Sequence, residues 1–142
     1  MLKYFYKVAY QKENIDDGGF DLGIFSTQKN AELKVCKALD CIGFENKQCF
    51  KIIKFGVNFS KNIEKNNIKL YSITHEYSIE EDGQLYDIFN VFDILGSKTE
   101  AERKVEWLKE HSRIGRKYPD NFMVDETVVD NFSAWSEGFT AY

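Results

Sequence analysis

The chain is short of nearly everything that announces a chemistry. In 142 residues it has one proline, two histidines and three cysteines. No apolar run approaches the ~20 residues that cross a bilayer as a helix, so no membrane partner is expected. Met1-Leu2-Lys3-Tyr4 lacks the long apolar core and small-residue cleavage site of a secretory leader, and a cytoplasmic location is expected. Cys36, Cys41 and Cys49 are odd in number and confined to the first half, which argues against a disulfide framework. Cys36 and Cys41 also miss the Cys-x-x-Cys spacing of a zinc site, and the three read as reduced, partly buried thiols.

The signatures of catalysis are missing as well. Asp17-Gly18-Gly19 is a turn, with no Gly-Lys-Ser/Thr ending of a phosphate loop. There is no Gly-x-Ser-x-Gly elbow. His75 and His111 have no Cys, Asp or Glu at ligand spacing, and no second histidine follows His75-Glu76 where a zinc protease helix needs one. No cofactor, metal or catalytic centre is expected. Lysines of the first half are interleaved with acids, and Arg113, Arg116 and Lys117 read as a helix end. A nucleic-acid partner is therefore not expected either.

What is present is a repeat. Ala31-Glu32-Leu33-Lys34-Val35 recurs as Ala101-Glu102-Arg103-Lys104-Val105. Tyr4, Tyr6 and Tyr10 align with Tyr71, Ile73 and Tyr77 at an offset of 67, which sets His75 opposite Val8. Phe25-Ser26-Thr27 aligns with Leu95-Gly96-Ser97 at 70, and Ile42-Gly43, Phe50 and Val57 with Ile114-Gly115, Phe122 and Val129 at 72. Such self-similarity decides architecture before local propensity does.

Each copy reads as strand, strand, helix, strand. Tyr4, Tyr6, Val8 and Tyr10 alternate with the period of a half-covered strand, and Asn14 to Gly19 is the hairpin loop. Thr27 caps a helix whose stripe is Ala31, Val35, Ala38, Leu39 and Ile42, with Gly43 as its stop. Phe50 to Val57 closes the first copy. In the second, Glu80-Glu81-Asp82-Gly83 is the turn, and Phe89 to Phe92 marks strand covered on both faces or a bulge. Ser97-Lys98-Thr99-Glu100 is a capping box ahead of Ala101, Val105 and Leu108. The expected fold is α+β: internally duplicated ββαβ units forming a pseudo-dimeric antiparallel sheet with two packed helices. The strands make one continuous sheet or two facing ones. The expected organisation is a single domain over 1–142, with repeats 1–59 and 68–142 joined by a connector at 60–67.

Charge differs between the halves. Residues 1–67 carry a net +3 and residues 68–142 a net −7. From 118 onward there is no Lys or Arg, while Asp120, Asp125, Glu126, Asp130 and Glu137 mingle with Phe122, Phe132, Trp135 and Phe139. Acids around aromatic anchors suit a basic protein partner. The expected contact residues are Glu80, Glu81, Asp82, Asp120, Asp125, Glu126, Asp130, Trp135, Glu137 and Phe139.

Four motifs carry a resemblance: Thr74-His75-Glu76-Tyr77, Ser97 to Glu102, Tyr118-Pro119-Asp120-Asn121-Phe122 and Trp135-Ser136-Glu137-Gly138-Phe139. Over roughly 69–139 the chain resembles an uncharacterised family of small bacterial proteins, which look like the immunity-type companions of bacterial toxins. Asn121 departs from the glycine usual in that family's turn. The resemblance implies a non-catalytic protein that binds and neutralises a cognate basic toxin through the acidic, aromatic surface. The alternatives are a regulatory or scaffold module, dimeric through an exposed sheet edge, and an enzyme using a groove around His75, Glu76 and Tyr77.

Overall fold

A computed structural model describes residues 1–11, 20–41, 44, 46–60 and 66–134. The fold is α+β, with two three-stranded antiparallel sheets, and the chain divides into two compact units. The expected loop at Asn14–Gly19, Ile42-Gly43 and residues 61–65 of the connector lie outside the described residues.

Unit 1 contains β1 (Leu2–Tyr10), β2 (Phe20–Phe25), α1 (Gln28–Leu39) and β3 (Phe50–Asn58), with strand order β2-β1-β3. The Thr27 Oγ1 accepts from the Asn30 N–H at 3.0 Å, satisfying one of the first-turn donors that a helix leaves open. Ala31, Val35 and Ala38 then face Val8, Tyr10, Leu22 and Phe25. Tyr10 is the centre of an aromatic cluster, with Phe44 and Phe50 edge-on at 5.0 and 4.8 Å. Burying such a ring is worth roughly 2–3 kcal/mol, so this cluster contributes several kcal/mol to the unit.

Unit 2 contains β4 (Lys69–Glu81), β5 (Gln84–Leu95), α2 (Lys98–His111), the short α3 (Arg113–Lys117) and β6 (Phe122–Val128). Its strand order, β5-β4-β6, is the same pattern again. Ser97 caps α2 through the Glu100 N–H. Ala101, Val105 and Leu108 pack on Ile73, with Phe92, Leu95, Phe122 and Val124 around them. The bend from α2 into α3 depends on Ser112, whose hydroxyl donates to the Leu108 carbonyl at 2.7 Å and accepts from the Gly115 N–H at 2.8 Å. A Cβ on Gly115 would lie 2.0 Å from that carbonyl oxygen, so only glycine fits.

The two hairpins share a detail. On β2, Leu22 is an extra residue between the pairs Val8↔Gly23 and Ala9↔Asp21. On β5, Phe92 is extra between Ile73↔Asp93 and Thr74↔Val91, the bulge that the Phe89–Phe92 run suggested. Buried Phe5, Val8 and Tyr10 match buried Leu70, Ile73 and His75 at an offset of 65. His75 therefore stands where Tyr10 does, and not opposite Val8. The tyrosines that set the 67-residue alignment include half-exposed positions, which carry less of the pattern than the buried ones.

The C-terminal segment also departs from expectation. Residues 128–134, read as part of the second repeat, belong to unit 1. Asp130 takes a left-handed backbone (φ 61°), and its carboxylate accepts from the Ser26 N–H (2.9 Å), the Ser26 hydroxyl (2.5 Å) and the Asn30 amide (3.2 Å). Phe132 lies on Phe25 at 5.0 Å, and the Lys37 ammonium sits over its ring. Lys34, 2% exposed, donates to the carbonyls of Phe132 (2.9 Å) and Ala134 (2.6 Å). Burial lowers the pKa of that ammonium below its ordinary value, with Cys41 opposing and Lys37 adding to the shift.

Candidate functional site

The β4–β5 hairpin is the one long arm of unit 2, and its turn sets what it shows. Asp82 and Gly83 both have positive φ (53° and 76°), the signature of a two-residue type I′ turn between Glu81 and Gln84. Residues directly opposite one another share a face of the sheet. One face of the arm therefore carries Glu80 with Leu85, Ser78 with Asp87, Glu76 with Phe89 and Thr74 with Val91. The Ser78 hydroxyl donates to the Asp87 carboxylate at 2.5 Å. Thr74 in turn donates to Asp125 at 3.4 Å, which places Asp125 and, by alternation, Met123 of β6 on the same face.

Leu85 is 71% exposed, Met123 62%, Phe89 59% and Val91 44%. A row of large apolar side chains open to water is costly unless something covers it, and such patches mark interaction surfaces. Carboxylates of Glu76, Glu80, Asp87 and Asp125 interleave with them, and Glu81 and Asp82 form the tip. Between Leu70 and Ser97 the chain has no Lys or Arg at all. Among the described residues no ion pair engages any of these six carboxylates.

The expected contact residues do not come together as one surface. Glu80, Glu81 and Asp82 are exposed at the arm's tip, and Asp125 joins the face below them. Asp120 is exposed in a one-turn 3-10 helix, Pro119–Asn121. Glu126, adjacent to Asp125, points to the opposite face of β6, where Lys69 lies at 3.5 Å and the Tyr71 hydroxyl donates to it at 3.2 Å. Burial, and then that donation to a carboxylate, raises the Tyr71 pKa. Asp130 belongs to unit 1, where its carboxylate holds Ser26 and Asn30, so it is a structural anchor and not an open charge. Trp135, Glu137 and Phe139 lie outside the described residues.

His75 is 1% exposed. Its Nε2 lies 2.9 Å from the Tyr118 carbonyl and so must donate, while Nδ1 has no hydrogen-bond partner among the described residues. Phe122 meets the imidazole edge-on at 4.5 Å, with Tyr77, Phe92 and Tyr118 farther out. Tyr77 and Tyr118 stack at 4.9 Å. The side chain best suited to acid–base work is thus enclosed by rings. Asn121, the departure from glycine, has its own role: its amide donates to the Glu76 carbonyl at 3.0 Å and ties the turn to β4.

Leu85, Asp87, Phe89, Val91, Met123 and Glu76 were not among the expected contacts. The signal was available in the period-two series Leu85, Asp87, Phe89, Val91 within a stretch free of basic residues. Reading that stretch as a strand covered on both faces hid it. Comparison with protein-family models, curated proteins and solved structures returned no match for the chain.

Proposed function

We propose that this protein is a non-catalytic, immunity-type binder, which neutralises a basic cognate toxin by covering it with the acidic, apolar face of the β4–β5 arm and β6. The observation that carries this reading is the row Leu85, Phe89, Val91 and Met123, exposed together and bordered by Glu76, Glu80, Asp87 and Asp125. Apolar side chains supply the buried area, while carboxylates steer a positively charged partner and reject negative ones. The enclosure of His75 favours binding over chemistry. A second copy of the chain is a poorer occupant, because it would bring acids against acids.

The test uses the purified basic toxin domain encoded beside the gene. Binding is expected to weaken as salt rises, and the triple variant Glu80→Lys, Asp87→Lys, Asp125→Lys to lose at least ~100-fold in affinity. A triple variant that binds and protects like the parent chain sinks the proposal.

A further inference from the structure

The strand that displays this face is also the edge of its sheet, and the two facts coincide on the same residues. A two-residue turn makes Glu81 and Gln84 a hydrogen-bonded pair, and paired and unpaired positions alternate from there. Tyr86, Ile88 and Asn90 thus spend their backbone groups on β4. Leu85, Asp87, Phe89 and Val91 direct theirs away from β4, toward the open side of β5, which has no neighbouring strand among the described residues.

Edges of this kind are normally blunted by lysine, proline or a bulge. From Gln84 to Val91 there is none of these, and the bulge at Phe92 comes only after that stretch. We infer that β5 accepts a fourth strand from its partner. The added strand is an extended segment whose Lys or Arg meets Asp87 and whose small apolar side chains meet Leu85 and Phe89. Main-chain hydrogen bonds would supply affinity, and the outer-face side chains selectivity. Charge decides the occupant: a second copy of β5 centred on Asp87 would set that carboxylate against its own image, whereas a basic strand pairs with it. This inference rests on the proposed binding face and adds the geometry of engagement.

The probe is the capped eight-residue peptide Thr-Val-Thr-Lys-Thr-Val-Thr-Thr, whose two Val and one Lys share a face, titrated into the full chain at low salt. Phe89→Ser and Phe89→Pro both remove the ring, and only proline also removes the outward N–H; edge strands tolerate it. The proline variant is expected to bind at least ~10-fold more weakly than the serine variant, the size of a lost, otherwise satisfied donor. The same peptide N-methylated at its Val and Lys residues, whose N–H groups face β5, is expected to show a similar loss with the unmodified chain. That second comparison decides the matter if Phe89→Pro does not fold. Equal binding of methylated and plain peptides overturns strand addition, as does no binding of either at millimolar concentration. If strand addition fails while Asp87→Lys still abolishes binding, the acidic face stands; if Asp87→Lys and added salt change nothing, the face itself falls.

Discussion

Lys34 and Lys104 occupy the same position in two helices of the same design, and they live in opposite circumstances. Lys34 is sealed in unit 1 under the C-terminal segment, its ammonium given to two backbone carbonyls. Lys104 is partly open to water in unit 2 and pairs with Asp93 of β5. The same contrast runs through both units. Unit 1 adds an aromatic cluster and takes in the chain's end, using its extra residues to close itself. Unit 2 has a smaller core and spends its extra length on an arm whose outer face stays open among the described residues. One ββαβ plan thus serves once as a packed body and once as a display, and the difference lies in what was added around it.

Four measurements break or sharpen that contrast. Gly115→Ala is expected to cost unit 2 at least ~3 kcal/mol in urea denaturation, because its Cβ meets backbone that cannot retreat. A value below ~1 kcal/mol would show that the α2–α3 bend adapts. Lys34→Met should cost about 2 kcal/mol by leaving two carbonyls without their donor. Lys104→Met, which breaks a half-exposed ion pair, should cost less than ~1 kcal/mol. Equal losses would erase the distinction between the two lysines.

The same pair predicts a pH signature. Burial lowers the Lys34 pKa, so below that lowered value both folded and unfolded chains are protonated and the burial penalty is fully present. Between the lowered value and the ordinary lysine value the unfolded chain holds the extra proton, so stability rises with pH across that window and then levels. The slope should vanish in Lys34→Met and persist in Lys104→Met. Smallest of all, Phe89→Ser should shift stability by less than ~0.5 kcal/mol, since the ring is already in water, while weakening partner binding.

Much of this fold could be read from the residues. The helix stripes, both N-caps and the 3.6-residue periodicity depend on local chemistry, and Thr27, Ser97, Ala31 and Ala101 announce it directly. The strand correspondence slipped by two because tyrosine is amphipathic: it marks strands well and burial poorly. The destination of the tail was not legible at all. Whether Asp130 faces solvent or binds Ser26 and Asn30 depends on contacts that span 104 and 100 positions of the chain, and sequence spacing is silent about that. The acidic turn was legible, but the apolar row beside it was not, because leucine, phenylalanine and valine in alternation look the same whether the face is covered or bare.

The bulge at Phe92 has a larger effect than its size suggests. Side chains of a strand obey a parity, odd one way and even the other, and a single surplus residue reverses it from that point outward. Before the reversal Leu95 and Asp93 look toward α2; after it Val91, Phe89, Asp87 and Leu85 look away. Were Phe92 paired with Thr74 in plain alternation instead of bulged, Val91, Phe89, Asp87 and Leu85 would turn inward and Asn90, Ile88 and Tyr86 would turn out in their place. Which chemistry the arm turns outward is therefore set by how one half-buried phenylalanine is accommodated in the strand.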